Sequence, residues 1–312
     1  IHKTSRKEID SEDKLSTVIQ KAKRKYLLID NTDKSGESAE SSKKIDDYIT
    51  FLKYSPDVAI NGVIIYTKEK LTWESSQYIN ERPVIIINKE MNLPDIKTID
   101  LAIESKFEPK YETQNVIGYI KGSVVPDSFI VVTAHYDHLG MMGNNTVFQG
   151  ANDNASGVAM LLNLAKHYSK NQPKYSMLFI AFSGEELGLL GSKYYIENQI
   201  VKTSKFKFLI NFDLAGTGEE GIKVVNGSVL TKQFEKLLRL NAEHNLLPKV
   251  ETRGEACISD HCPFYQNKVP CFYIYTQGGI KAYHDIYDKP ETLPLTEFFD
   301  YCKLMILFFD SI

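Results

Sequence analysis

Four short apolar runs fall at intervals along the last two thirds of this chain: Phe129 to Val132, Met177 to Phe182, Phe208 to Phe212 and Cys271 to Tyr275. Each reads as a buried strand. The segments between and after them carry helical periodicity, from about Ala155 to Tyr168, near Leu189 to Glu197, from Lys232 to Ala242 and roughly from Leu295 to Asp310. Val116 to Ile120 adds a strand ahead of the first run. Such alternation predicts an α/β fold, a mostly parallel central sheet flanked by helices. Ligands of open α/β sheets bind at the carboxyl ends of the strands, so the residues that follow each run carry the functional reading.

Those residues are metal-ligand types. His135 and Asp137 follow the first run, Glu185 and Glu186 the second, and Asp213 the third; His284 lies nine residues past the fourth, so a loop must carry it back. A fifth position, Asp153, stands in Gly150-Ala-Asn-Asp-Asn-Ala-Ser-Gly157 directly before a helix. Each has an ordinary explanation when taken alone. His135-Tyr-Asp137 is a polar strand end as readily as a ligand with a carboxylate to orient its ring. Asp153 suits a helix N-cap, although Asn154 or Ser156 could cap instead and leave it free to bridge two cations. Adjacent Glu185 and Glu186 fit a solvated helix start, or a site where one ligates and the other accepts a proton. An acid after a strongly apolar strand, as at Asp213, needs a partner or a metal. Five positions in one order, most of them at strand ends, point to a common site. His138 is set aside as structural.

The N-terminal third holds none of these ligands. Glu12 to Lys25 reads as an amphipathic helix with Leu15, Val18, Ile19 and Ala22 on one stripe, and residues 1–25 are expected to pack on the C-terminal domain. Tyr26 to Ile29, Gly62 to Tyr66 and Pro83 to Ile87 read as strands, with a helix from about Ser42 to Lys53. The domains expected are therefore 1–25, 26–110 and 111–312.

With 312 residues the chain can bury a substantial core. A formal net charge of −3 and no basic stripe argue against nucleic acid as a partner. No apolar run is long enough to span a bilayer; Leu304 to Phe309 is far too short. The four cysteines lie in the last fifth without C-x-x-C spacing, and Cys257 with Cys262 could form a local disulfide. That pairing, with the absence of an initiator Met before Ile1, fits an exported protein.

His135-Tyr-Asp-His-Leu-Gly140, Gly150-Ala-Asn-Asp-Asn-Ala-Ser-Gly157, Ser183-Gly-Glu-Glu-Leu-Gly188, Asn211-Phe-Asp-Leu214, Ser259-Asp-His261 and Tyr283-His284 together resemble the co-catalytic zinc aminopeptidases of peptidase family M28. The resemblance runs from Asn115 to the end of the chain. It implies the zinc-exopeptidase fold, a peptide substrate and two Zn²⁺ ions. Asp153 would bridge the ions, His135 and Asp213 would complete one ligand set, and Glu186 and His284 the other. Glu185 would act as general base and then acid, Tyr283 would hydrogen-bond the developing oxyanion, and a cis peptide bond would follow Asp153. Lys25-Tyr-Leu-Leu-Ile-Asp30, Ile60-Asn-Gly-Val-Ile-Ile-Tyr66 and Arg82-Pro-Val-Ile-Ile-Ile87 resemble the protease-associated domain inserted in such peptidases, which would make residues 26–110 a lid or access element.

A single-zinc glutaminyl cyclase shares this fold, but keeping both His135 and Asp213 favours two metals. A carboxypeptidase would need a basic pocket for the substrate carboxylate, for which Arg253 is the arginine to nominate. A catalytically inactive peptide-binding homologue would be expected to have lost Glu185 or a ligand.

Overall fold

The computed structural model describes residues 1–90 and 92–312. It divides into one unit of Ile1–Thr72 with Ser76–Pro109 and a second of Trp73–Ser75 with Lys110–Ile312.

The first unit is built around a parallel sheet of β1 (His2–Ser5), β2 (Tyr26–Asp30), β3 (Gly62–Tyr66) and β4 (Val84–Ile87), paired in that order, with α1 (Glu12–Ala22) and α2 (Ala39–Tyr54) as its helices. Residues 1–25, expected to form a separate element, belong to the first unit. The stripe Leu15, Val18 and Ala22 is buried in one core with Leu27, Ile29, Ile45, Ile49, Val63 and Ile65, because β1 pairs with β2 and draws the first helix onto the same sheet. Arg6, 1% exposed, ties this start to α2 by donating to Asp46 and to the Ser42 carbonyl, and to Glu37 just ahead of the helix.

The second unit begins with β5 (Val116–Ile120), β6 (Val125–His135) and the hairpin β7 (Gly140–Met142) and β8 (Thr146–Phe148). It continues through α3 (Gly157–Lys170), β9 (Tyr175–Phe182), α4 (Leu190–Glu197), β10 (Phe206–Phe212), β11 (Gly221–Val225) and α5 (Thr231–His244). Then come β12 (Val250–Arg253), α6 (His261–Gln266), β13 (Cys271–Gln277) and α7 (Phe298–Asp310). Seven strands form the central sheet in the order β12-β11-β13-β10-β6-β9-β5. The four expected runs are its middle, β13, β10, β6 and β9, all parallel. Antiparallel pairing occurs where β11 meets β13 and where β5 meets β9.

Helices cover both faces, as continuous apolar strands require. Met160, Leu164 and Tyr168 of α3, Leu237 of α5 and Tyr301, Leu304, Met305 and Phe308 of α7 pack with Val132, Phe208, Ile210, Phe272 and Ile274 on one face. Tyr195 of α4 and Phe264 of α6 pack with Val131, Leu178, Ile180, Phe182, Leu209 and Cys271 on the other. Among the described residues, no helix is long and apolar enough to cross a membrane.

Candidate metal centre

Parallel register alone brings the first two ligands together. Asn211 lies opposite Thr133, and His135 opposite Phe182. His135 at the end of β6 and Asp213 just past β10 therefore stand side by side at one sheet edge. His135 Nε2 is 3.2 Å from Asp213 Oδ1 and 3.4 Å from Asp153 Oδ1. Asp153 presents its other oxygen 3.2 Å from His284 Nε2, which is also 3.2 Å from Glu186 Oε2. Asp153 is thus shared by two lobes, His135 with Asp213 and His284 with Glu186.

Local sequence explains why Asp153 points inward. Gly150 enters the turn with φ 64°, and a Cβ there would lie 2.4 Å from the Asp153 carbonyl oxygen. Asn154 Oδ1 accepts the amides of Gly157 at 3.0 Å and Leu214 at 3.2 Å, and its Nδ2 donates to the Phe212 carbonyl at 2.9 Å. Asn154 therefore satisfies the start of α3 and leaves Asp153 to the centre. From the other side, the buried Asp288 carboxylate accepts the Asn152 and Asp153 amides at 2.8 and 2.9 Å. The Asp153–Asn154 peptide bond is cis, as the family resemblance implies.

His284 reaches the centre on the loop after β13, with φ 50°. Its ring stacks on Tyr283, centroids 4.0 Å apart. Asp285 accepts the backbone amides of Tyr283 and Tyr287, which folds the loop around the histidine.

Asp137 does a different job from the one expected. Its carboxylate is 3.9 Å from His135 Nδ1, beyond hydrogen-bond range; the imidazole donates instead to the Asp137 backbone carbonyl at 3.1 Å. The carboxylate oxygens accept the amides of Glu185 at 3.2 Å and Glu186 at 3.3 Å. Asp137 thus holds the loop that presents both glutamates, a task visible only once β6 and β9 lie side by side.

Three residues assigned no role from sequence also belong to the centre. Ser259 donates to Asp213 Oδ2 at 2.7 Å and accepts from Asn211, which itself accepts from Thr133, so a buried hydrogen-bonded chain fixes Asp213. His138 Nδ1 lies 2.8 Å from Glu186 Oε1, although the sequence reading set it aside. Asp288, four residues past His284, is the third. For Ser259 the signal was its place in Ser259-Asp-His261. Arg253, nominated for a substrate carboxylate, is exposed at the end of edge strand β12 and donates to the Tyr275 hydroxyl at 3.3 Å.

The charges show what the cluster accepts. Burial pushes the His135 pKa down, but Asp213 and Asp153 outweigh it and hold it well above the usual imidazole value. The His284 pKa is likewise lowered by burial yet raised overall to about 10 by Asp153 and Glu186. Burial would raise Asp153, but the two imidazoles hold it well below the carboxylate range. Glu185, desolvated and beside Asp213, is pushed up to about 9. Protons on the histidines stand where positive charge is wanted. Ligand atoms of His135, Asp153 and Asp213 lie within 4.8 Å of one another, as do those of His135, Glu185 and Glu186. Three carboxylates and two imidazoles give a donor set of N and O atoms that suits zinc.

Fold and site together define an α/β protein of zinc-exopeptidase type with a carboxylate-rich cation centre at the sheet's carboxyl edge. Residues 115–308 match the model of peptidase family M28, and the chain belongs to that family. Aminopeptidase YwaD of Bacillus subtilis is 29% identical over 272 residues, covering 83% of this chain and 55% of that protein. The chain thus spans little more than half of that relative's length. The solved zinc aminopeptidase BSAP from Bacillus subtilis superposes with a TM-score of 0.66 at 20% identity, covering 98% of this chain and 73% of that one. An Acidobacteriales bacterium glutaminyl cyclase shares the fold at TM-score 0.55 and 20% identity, over 63% of this chain and 72% of that one.

Proposed function

We propose that this protein is a di-zinc aminopeptidase that removes N-terminal residues from peptides. The observation that carries the reading is Asp153, shared between two lobes that each hold one further imidazole and one further carboxylate. His135, Asp153 and Asp213 would hold one ion, and Asp153, Glu186 and His284 the other. Bound there, zinc would supply Lewis acidity, lowering the pKa of water and polarising the scissile carbonyl.

The chain's own residues do the rest. Glu185 sits beside the ligand set with its backbone pinned by Asp137, and in the reaction its carboxylate takes the proton of the attacking water and returns it to the leaving amine. The high pKa of Glu185 belongs to the cation-free cluster, and positive charge at the ligands brings it down into the range of a base. The Tyr283 hydroxyl, its pKa raised by burial and then by Asp153, stays protonated and donates to the developing oxyanion. The substrate's free amine pairs with the acidic cluster, which favours cleavage at the N-terminus.

A glutaminyl cyclase-like enzyme with one zinc is the second reading, prompted by the shared fold; completeness of both lobes weighs against it. Export is supported by the Cys257–Cys262 disulfide, since such bonds persist in oxidising compartments. Residues 26–110, which carry none of the candidate ligands, are proposed as a protease-associated-like module on the strength of their strand sequences.

Zinc content and hydrolysis of aminoacyl-anilides, measured on wild type and Glu185→Gln, test the reading. About two zinc ions per chain are expected, with the rate reduced roughly 10²- to 10⁴-fold in the variant and the metal retained. A single zinc with cyclisation of N-terminal glutamine would move the protein to the second reading. Metal without turnover of any substrate would leave a binding role.

A further inference from the structure

We propose that His138 is the positioning residue for Glu186, holding Oε1 so that Oε2 faces Asp153 and His284, and that its Nδ1 does so as a hydrogen-bond donor and not as a ligand. The inference rests on the two-ion reading above. His138 Nδ1 is 2.8 Å from Glu186 Oε1, and the two side chains are 8% and 5% exposed. A nitrogen of His138 also lies within 4.8 Å of ligand oxygens of both Asp153 and Glu186, so distance alone would admit it as a sixth ligand.

The other ring nitrogen decides which role Nδ1 plays. Among the described residues, His138 Nε2 is buried and has no hydrogen-bond partner. An imidazole that coordinates through Nδ1 must carry its proton on Nε2. That would bury an N–H with nothing to accept it, a cost of about 1–3 kcal/mol. With the proton on Nδ1, the N–H donates to Glu186 and Nε2 carries a lone pair, so no buried N–H is left without an acceptor.

Two further observations fit the donor role. Ser259 does the same for the opposite lobe, donating to Asp213 Oδ2 at 2.7 Å while Oδ1 faces His135. Each lobe's terminal carboxylate thus has one oxygen held by the protein and one turned to the centre. The position of the ring also depends on Gly150, where a Cβ would come within 2.5 Å of His138 Cγ. The same glycine therefore admits the Asp153 turn and the His138 ring, placing both beside Glu186.

The test compares wild type, His138→Leu, His138→Asn and Glu186→Ala by zinc titration of the metal-free proteins against a chromophoric chelator. Thermal unfolding of each metal-free form serves as the check of folding. Wild type should bind two ions. His138→Leu should weaken one by about 10- to 100-fold and leave the other unchanged, while His138→Asn, which keeps an N–H near the place of Nδ1, should recover most of the loss. Unchanged affinities in His138→Leu would overturn the proposal. So would a loss in both His138 variants as deep as that of Glu186→Ala, which would make His138 a ligand. If the leucine variant does not fold, the asparagine variant decides by the same comparison: retention near wild type supports the donor, and a loss matching Glu186→Ala overturns it. A wild type that binds one ion overturns the two-ion reading and this inference with it, a result distinct from any difference among the variants.

Discussion

His261 is 1% exposed, its Nε2 donates to the Ala256 carbonyl at 2.8 Å, and its ring centroid lies 5.2 Å from that of Tyr273. Burial pushes its pKa down to about 4 from the usual 6.5. The unfolded chain therefore binds the proton first as pH falls. The stability that His261 contributes is complete above pH 6.5, is lost between there and about 4, and amounts to about 3 kcal/mol across that window. In the metal-free protein, His261→Phe keeps the ring and removes the titration. The wild type's stability advantage over this variant should shrink as pH drops through the window; urea midpoints at several pH values measure it, and a gap independent of pH would defeat the expectation. At this scale the sequence was readable where chemistry follows a strand directly, as at His135 and Asp213. It was misleading at Asp137, whose carboxylate serves two amides 48 and 49 residues away, because local spacing does not say which side chains turn inward.

Helix α7 shows how the elements hold the site's platform. Phe308 is fully buried, with ring centroids 5.7 Å from Phe208 of β10 and 6.2 Å from Phe272 of β13, the strands that lead to Asp213 and His284. Phe308→Ala should cost about 3–5 kcal/mol in unfolding free energy, the range for emptying a well-packed aromatic site; a loss below about 1 kcal/mol would mean the core collapses into the gap. Strands β6, β9, β10 and β13 were legible because strands buried on both faces read as continuous apolar runs. Others were not. β1, His-Lys-Thr-Ser, has no apolar pattern and is a strand only because β2 pairs with it. β12, Val-Glu-Thr-Arg, is an edge strand of the same kind. A stripe of apolar residues on α1 shows that a face is buried and not what buries it, so its place in the first unit's core is not legible from the helix itself.

For the molecule as a whole, the centre couples stability to pH through the protons that stand in for cations. The His135 and His284 pKa values are raised, that of His284 to about 10, and Glu185 is raised to about 9. All three bind protons more tightly folded than unfolded. The histidines' contribution is therefore full below pH 6.5 and fades as pH rises through their folded values, while that of Glu185 fades from about 4.5 to about 9. Zinc takes the place of those protons, so its affinity should grow with pH. The rise in Tm on adding zinc to metal-free protein should therefore widen from pH 6.5 towards about 9, as differential scanning fluorimetry would show; a constant increment would contradict the proton-for-metal exchange. The α/β class, the four central strands and the metal-ligand residue types at their ends are legible in short local patterns, because strand burial and ligand chemistry are both local properties. That Asp153 is shared, that Asp137 and Asp288 clamp backbone and that His138 faces Glu186 emerges only in the folded chain. Those relations depend on strand register and loop paths across as many as 136 residues of separation, which no local pattern encodes.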